Sequence, residues 1–212
     1  MRLEGNSGRD HVYQYLRTKV LTDPAKLGTF INKQAIASVV GVSRTPVREA
    51  LLMLAAEDLV QLVPNRGAFI APVPGRQIAE TMQARGLIEC WAAATCLESG
   101  SAPVKAMQSA LDRQTAMMVT GAAQEFIELD REFHVLLVDA AGNSVLDRLY
   151  ETLRARHVLL GVAALEHSGT RREEVIAEHV AIVKALRAGD REASEHAIRQ
   201  HLDSTRDLLT HR

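Results

Sequence analysis

The chain has 212 residues, 47% of them hydrophobic and only 4% aromatic, with 25 Lys and Arg against 26 Asp and Glu. That length accommodates two domains, and the absence of an 18-residue apolar span or a signal peptide excludes membrane-embedded and secreted classes, leaving a cytoplasmic location as the expectation. The net charge of -1 hides an asymmetry: residues 1–72 carry 9 basic against 6 acidic side chains and the remainder 16 against 20, so only the N-terminal part suits a polyanion.

In chain order, Asn32 is placed to cap a short helix through Ala35, Ile36 and Val39, and Gly41 suits the tight turn that follows. Ser43 then reads as the N-cap of a second helix with Pro46 in its first turn, where a missing N–H costs little. Val47, Ala50, Leu51 and Leu54 form its buried stripe, while Arg44 and Arg48 lie one turn apart on the neighbouring face. Two guanidiniums projecting near a helix N-terminus suit phosphate contacts and guanine edges, so the pair of helices is predicted to be a DNA-reading helix-turn-helix. The alternative is an amphipathic helix with ordinary surface arginines. Leu59–Val63 and Ala68–Ile70 are β-type runs joined by the turn sequence Pro64-Asn65-Arg66-Gly67, a hairpin that follows the recognition helix as a wing. Arg66 at its tip is a candidate for minor-groove or phosphate contact, with a solvated turn residue as the alternative, and Gly67 permits a positive φ or a close backbone approach.

Ala71-Pro72-Val73-Pro74-Gly75 ends the strand pattern. The expected organisation is a DNA-binding domain over 1–71, a linker over 72–76 and a helical domain over 77–212. Six helices are predicted there, over 76–99, 103–120, 123–141, 144–167, 171–188 and 191–210. Asn143 and Asp190 are expected to cap, Thr170 with Glu173 to form a capping box, and the short connections imply an antiparallel bundle. The fold is therefore mostly α, a winged helix-turn-helix followed by an all-helical bundle. Cys90 and Cys96 fall about 9 Å apart along one helix, too far for a disulfide, and read as reduced buried fillers.

The histidines of the bundle separate by face. Asp130 and His134 stand one turn apart beside Phe126, Leu129, Phe133 and Leu137; His179 sits in the stripe of Val175, Ile182, Val183 and Leu186; His201 lies among Ile198, Leu202, Thr205 and Leu208. Burying an ionised Asp among three imidazoles costs several kcal/mol unless a cation compensates, so Asp130, His134, His179 and His201 are predicted to hold a divalent metal. Zn, Ni, Co, Mn and Fe all accept such ligands, and a hydrogen-bonded polar core without metal is the alternative. His157, at the edge of its helix's apolar face, is a further pocket candidate. Arg85 falls on an inner face with Glu89 one turn on, either as a structural ion pair or as a clamp for an effector carboxylate. Trp91 and Tyr150 could line the pocket or simply fill core.

The segment from about Val12 to Ala71, with its Gly41-Val42-Ser43-Arg44-Thr45-Pro46-Val47-Arg48-Glu49-Ala50-Leu51 run and its Asn65-Arg66-Gly67-Ala68-Phe69 wing, resembles the winged helix of the GntR family of bacterial transcription regulators. The resemblance implies that Arg44 and Arg48 touch DNA with Thr45 and Gly67 in support. Asp23–Gly28 departs from the usual Gly-x-Leu-x-Pro-Gly turn, and Gln34 stands where some members place an Arg, leaving it able to hydrogen-bond a base or phosphate without charge. Asp130–Leu137, Ala141–Ser144, Glu178-His179 and Gly189–Leu202 are similar to the FCD effector domain of FadR-type members. That likeness implies a metal on Asp130, His134, His179 and His201 and a small organic acid beside it, with a matching Arg at Arg85. Together these imply a ligand-responsive regulator, a repressor, working as a homodimer on a palindromic double-stranded operator. Two rival readings are a regulator whose signal is the metal itself, and a metalloenzyme with a DNA-binding appendage, for which no Ser-His or Cys-His constellation presents itself.

Overall fold

The computed structural model describes residues 7–119 and 121–210, and the chain divides into two compact units after Val73. The first unit begins with α1 (Gly8–Tyr15), capped reciprocally by Ser7 and Asp10 and continued by a wide π-type turn over Leu16–Val20. α2 (Lys33–Val40) and α3 (Arg44–Ala56) follow. Asn32 Oδ1 accepts from the amides of Gln34 and Ala35 at 3.0 Å each, and Gly41 ends α2 in the left-handed region at φ 74°. Ser43 has the extended backbone of an N-cap, but its hydroxyl makes no capping bond, in contrast to the expectation.

Three short strands close this unit in the antiparallel order β1-β3-β2: β1 (Thr29–Phe30), β2 (Gln61–Val63) and β3 (Gly67–Ile70). The hairpin of β2 and β3 is the predicted wing. β1 was not foreseen, because two residues carry no periodicity; it forms because Gly28 and Ile31 donate to the carbonyls of Ile70 and Ala68 at 2.7 and 2.8 Å. The core gathers Val12, Leu16, Val47, Ala50, Leu51, Leu54, Ala68 and Ile70, so the stripe expected on α3 faces inward and leaves Arg44 and Arg48 outside.

The second unit is helical: α4 (Gly75–Ser99), α5 (Val104–Ala116), α6 (Ala123–Ala140), α7 (Ser144–Thr152), α8 (Arg154–His167), α9 (Arg171–Ala188) and α10 (Arg191–Thr210). α4 starts inside the stretch read as linker, with Pro74 as its N-cap. The helix expected over 144–167 is two helices, so the predicted six become seven among the described residues. It breaks at Leu153, whose ψ of -10° and i→i+3 bond to Tyr150 O interrupt the α geometry. No Pro or Gly marks this break. The side chains on either side are tied to different partners, Tyr150 to Glu89 of α4 and His157 to Asp130 of α6. Asn143 and Asp190 cap as expected, but Thr170 donates to Glu174 rather than forming a box with Glu173. Arg172 closes the α5–α6 connection, donating to the carbonyls of Met117 and Gly121 at 2.9 Å each while lying over the Phe126 ring. Cys90 and Cys96 are free and buried. Among the described residues no helix is long and apolar enough to cross a membrane.

The contact of α6 with α8 depends on Gly161, where an added Cβ would lie 2.7 Å from Ile127 Cγ2. Alanine is the better helix former by about 1 kcal/mol, but overpacking against a stiff β-branched side chain that is itself buried costs about 1–3 kcal/mol. The clash wins. Gly161→Ala is expected to lower the urea midpoint of the helical unit, and an unchanged or raised midpoint would show that Ile127 yields freely.

Candidate metal centre and nucleic-acid face

In the winged unit, Lys33, Gln34, Arg44, Arg48, Asn65, Arg66 and Gly67 line one groove, and its lining includes four cations and no acid. Arg44, Thr45, Arg48 and Arg66 are all exposed. Arg44 Nε donates to Gln34 Oε1 at 2.7 Å, so Gln34 orients the arginine in addition to any contact of its own. The Arg66 guanidinium sits 4.7 Å from the centroid of Phe30, a ring that packs in turn on Phe69. Gly67 has φ 109°, a conformation that side-chain-bearing residues adopt only under strain, and it pairs with Val63 at the base of the wing turn.

In the helical unit, α6 contributes Asp130 and His134, α9 His179 and α10 His201, all buried, each offering one ligand atom within 4.8 Å of the others. His134 Nε2 and His179 Nε2 are 3.2 Å apart, and His179 Nε2 is 3.3 Å from Asp130 Oδ1. Donors sharing one ion at ~2.0–2.2 Å stand roughly 3–4 Å apart, so these two separations fit, and the set as a whole, spread over up to 4.8 Å, would tighten slightly around an ion. The far side of two of the rings fixes the proton. His179 Nδ1 meets Gln114 Oε1 at 2.9 Å, His201 Nδ1 meets Glu178 Oε2 at 2.8 Å, and His134 Nδ1 lies 2.8 Å from Glu89 Oε2 with its N–H aimed off the oxygen. Acceptors at Nδ1 of His179 and His201 leave the Nε2 atoms of those two rings free to ligate, and His134 Nε2 faces that of His179. The chemistry of the donor set therefore fits a divalent ion.

Burial pushes all four core histidines down, His157 to about 3, which keeps them neutral and able to act as ligands. The same burial pushes Asp130 up, but His157, whose Nε2 bonds the carboxylate, and the facing imidazoles of His179 and His134 outweigh it and hold the carboxyl well below the ordinary range. His157 is not among the four donors; its Nε2 stands 2.7 Å from Asp130 Oδ2 and orients that carboxylate. Phe133 stacks on His179 at 4.1 Å and fixes its ring.

Beside this cluster Arg85 Nε donates to Glu89 Oε1 at 2.8 Å, and Tyr150 donates to the same oxygen at 2.7 Å. Burial raises the Glu89 carboxyl, but Arg85 and His134 more than offset it and keep it ionised. Tyr150 thus belongs to the site, whereas Trp91 is 38% exposed at the surface of α4. Sequence reasoning missed Gln114 and Arg171, and it quoted Glu178 only as part of a motif. Arg171 is 1% exposed and binds Glu178 through Nη1 and Nη2 at 2.9 Å each. The legible signal was the i, i+7 spacing of Arg171 and Glu178, which puts both on one face of α9 next to His179.

Residues 80–204 match the FCD domain, and residues 9–70 match the family described as bacterial regulatory proteins, gntR family. An uncharacterized HTH-type transcriptional regulator in an unstable DNA locus of Streptomyces ambofaciens is 31% identical over 210 residues, covering 96% of this chain and 85% of the relative. The HTH-type transcriptional repressor RspR of Escherichia coli K12 is 29% identical over 193 residues, covering 90% and 84%. A GntR-type regulator from Rhodococcus sp. RHA1 has the same fold, with a TM-score of 0.82, 22% identity and coverage of 97% and 99%.

Proposed function

Because the chain belongs to the gntR family of bacterial regulatory proteins and carries an FCD domain, it is a DNA-binding transcriptional regulator, and we propose that it is a cytoplasmic repressor whose operator affinity is set by a small organic acid bound beside a divalent metal. Asp130, His134, His179 and His201 would hold the ion, and Arg85 would meet the acid's carboxylate. A cation there supplies a fixed positive charge to which an anion can bind. The observation that carries this reading is the buried set of Asp130, His134, His179 and His201, whose ligand atoms lie within 4.8 Å of one another, with Nδ1 of His179 and of His201 held by acceptors on the far side of each ring. The buried carboxylates of the site are committed to partners, Glu89 to Arg85 and Tyr150 and Asp130 to His157, which favours sensing over catalysis.

Two copies of the chain would bind a palindromic operator, since one winged helix reads only a few base pairs. Arg44, Thr45, Arg48, Arg66 and Gly67 form the proposed DNA face, supported by the acid-free groove that gathers all but Thr45. The acid would act by favouring one arrangement of the two reading heads over another. Arg44→Ala and Arg48→Ala are each expected to cost about 1–3 kcal/mol of operator binding, measured by anisotropy titration on a duplex selected from a random pool. An unchanged dissociation constant for both would remove α3 from the DNA face. Adding and chelating the metal in the same titration, with and without acid, separates acid control from control by the ion alone.

A further inference from the structure

His201 is held by a circuit of hydrogen bonds that begins and ends on its own residue. Its Nδ1 stands 2.8 Å from Glu178 Oε2, and Arg171 grips the same carboxylate with Nη1 on Oε1 and Nη2 on Oε2 at 2.9 Å each. Arg171 Nη2 also donates to Thr205 Oγ1 at 3.0 Å, and that hydroxyl donates at 3.4 Å to the His201 carbonyl, one turn back along α10. His201, Thr205 and Arg171 are buried, and Glu178 is largely so. A fork-to-fork pair of guanidinium and carboxylate has one geometry rather than many, so Arg171 fixes where Glu178 stands.

The three candidate ligand rings differ at Nδ1. His179 meets the neutral amide of Gln114, and His134 lies beside Glu89 without aiming at it, whereas His201 has a carboxylate as its hydrogen-bond partner. An ionised carboxylate only accepts, so it places the proton on Nδ1 and leaves the Nε2 lone pair for an ion. Glu178 can help an ion by its charge or by its hold on the ring. Buried around the four candidate ligands are two guanidiniums, Arg85 and Arg171, and three carboxylates, Glu89, Asp130 and Glu178, while burial keeps the imidazoles neutral. The metal-free cluster thus carries one net negative charge, which attracts any cation whatever the orientation of the rings. The Glu178 share of that charge is already answered by Arg171 at 2.9 Å, so its particular contribution to the site is geometry.

Resting on the metal reading above, we propose that Glu178 is a positioning residue of the centre, locking His201 as an Nε2 ligand, with Arg171 and Thr205 holding the carboxylate and the His201 turn in register. None of these three is among the four candidate ligands, so each acts on the ion through His201.

The test uses the full chain, stripped by chelation and titrated with Zn²⁺ against a chromophoric chelator, with Co²⁺ absorption reporting the coordination sphere. Glu178→Gln keeps an oxygen for the Nδ1 proton without the charge, Glu178→Asp keeps the charge but withdraws it by one methylene, and Glu178→Ala removes both. The Ala and Asp variants are expected to bind Zn²⁺ about 10–100-fold more weakly and to change the Co²⁺ spectrum. The Gln variant is expected to bind more like the wild type than like the Ala variant and to keep the wild-type spectrum. A Gln variant as weak as Ala, an Asp variant as tight as the wild type, or an Ala variant with unchanged affinity would overturn the positioning role and leave the four-ligand centre standing. Failure of the wild-type chain to bind either ion would overturn both.

Discussion

Arg85→Met is expected to destabilise the helical unit by about 3–5 kcal/mol in the metal-free protein, because it strands the fully buried Glu89 carboxylate with only the Tyr150 hydroxyl and a misaligned His134. Methionine fills much of the arginine's volume, so the loss is electrostatic more than steric. The metal-free cluster already carries one uncompensated negative charge, and this substitution doubles it. The cost should shrink when a divalent ion is present. Arg85→Met combined with Glu89→Gln removes one charge of each sign and should recover most of the loss, so a double-mutant cycle reads the coupling directly. Urea unfolding followed by circular dichroism measures all of these. A single-variant cost below about 1 kcal/mol would mean that solvent reaches the pair and that it behaves as a surface bridge.

His179→Ala is expected to abolish stoichiometric metal uptake, measured by elemental analysis after gel filtration, and with it the stabilisation that the ion confers. At a free metal concentration a thousandfold above its dissociation constant, that stabilisation is about 4 kcal/mol. His179 is the most demanding of the four positions because its Nε2 lies near both His134 Nε2 and Asp130 Oδ1 and its ring supports Phe133. Gln114→Ala should give a graded result, with metal still bound but about 10–100-fold more weakly, since only the proton on Nδ1 loses its acceptor. Undiminished metal content in His179→Ala would dissolve the proposed centre.

The recognition helix, the wing and the inward faces of α6, α9 and α10 were legible because each is a local pattern. Val47, Ala50, Leu51 and Leu54 repeat at helical spacing, and Asp130 with His134 does the same, so burial and contact can be read one element at a time. The features that escaped are those fixed by partners distant in sequence. Gln114 is a polar residue on α5 whose meaning depends on His179, 65 residues away. β1 exists only as a third strand against β3, and the break at Leu153 carries no Pro or Gly, while the nearby Tyr150 and His157 bond to partners distant in sequence. The missing Ser43 cap and the Thr170–Glu174 bond show that a residue type suited to a cap does not settle which acceptor or donor it meets.

The perches of Arg44 on Gln34 and of Arg66 on the Phe30 ring bear on the thermodynamics of landing on a duplex. A free arginine side chain surrenders about 2 kcal/mol of rotamer entropy when it is immobilised. On the proposed DNA face, these two have surrendered part of that freedom before the duplex arrives. Their engagement is then governed less by searching among rotamers and more by exchanging one electron-rich surface, an amide oxygen or an aromatic face, for another.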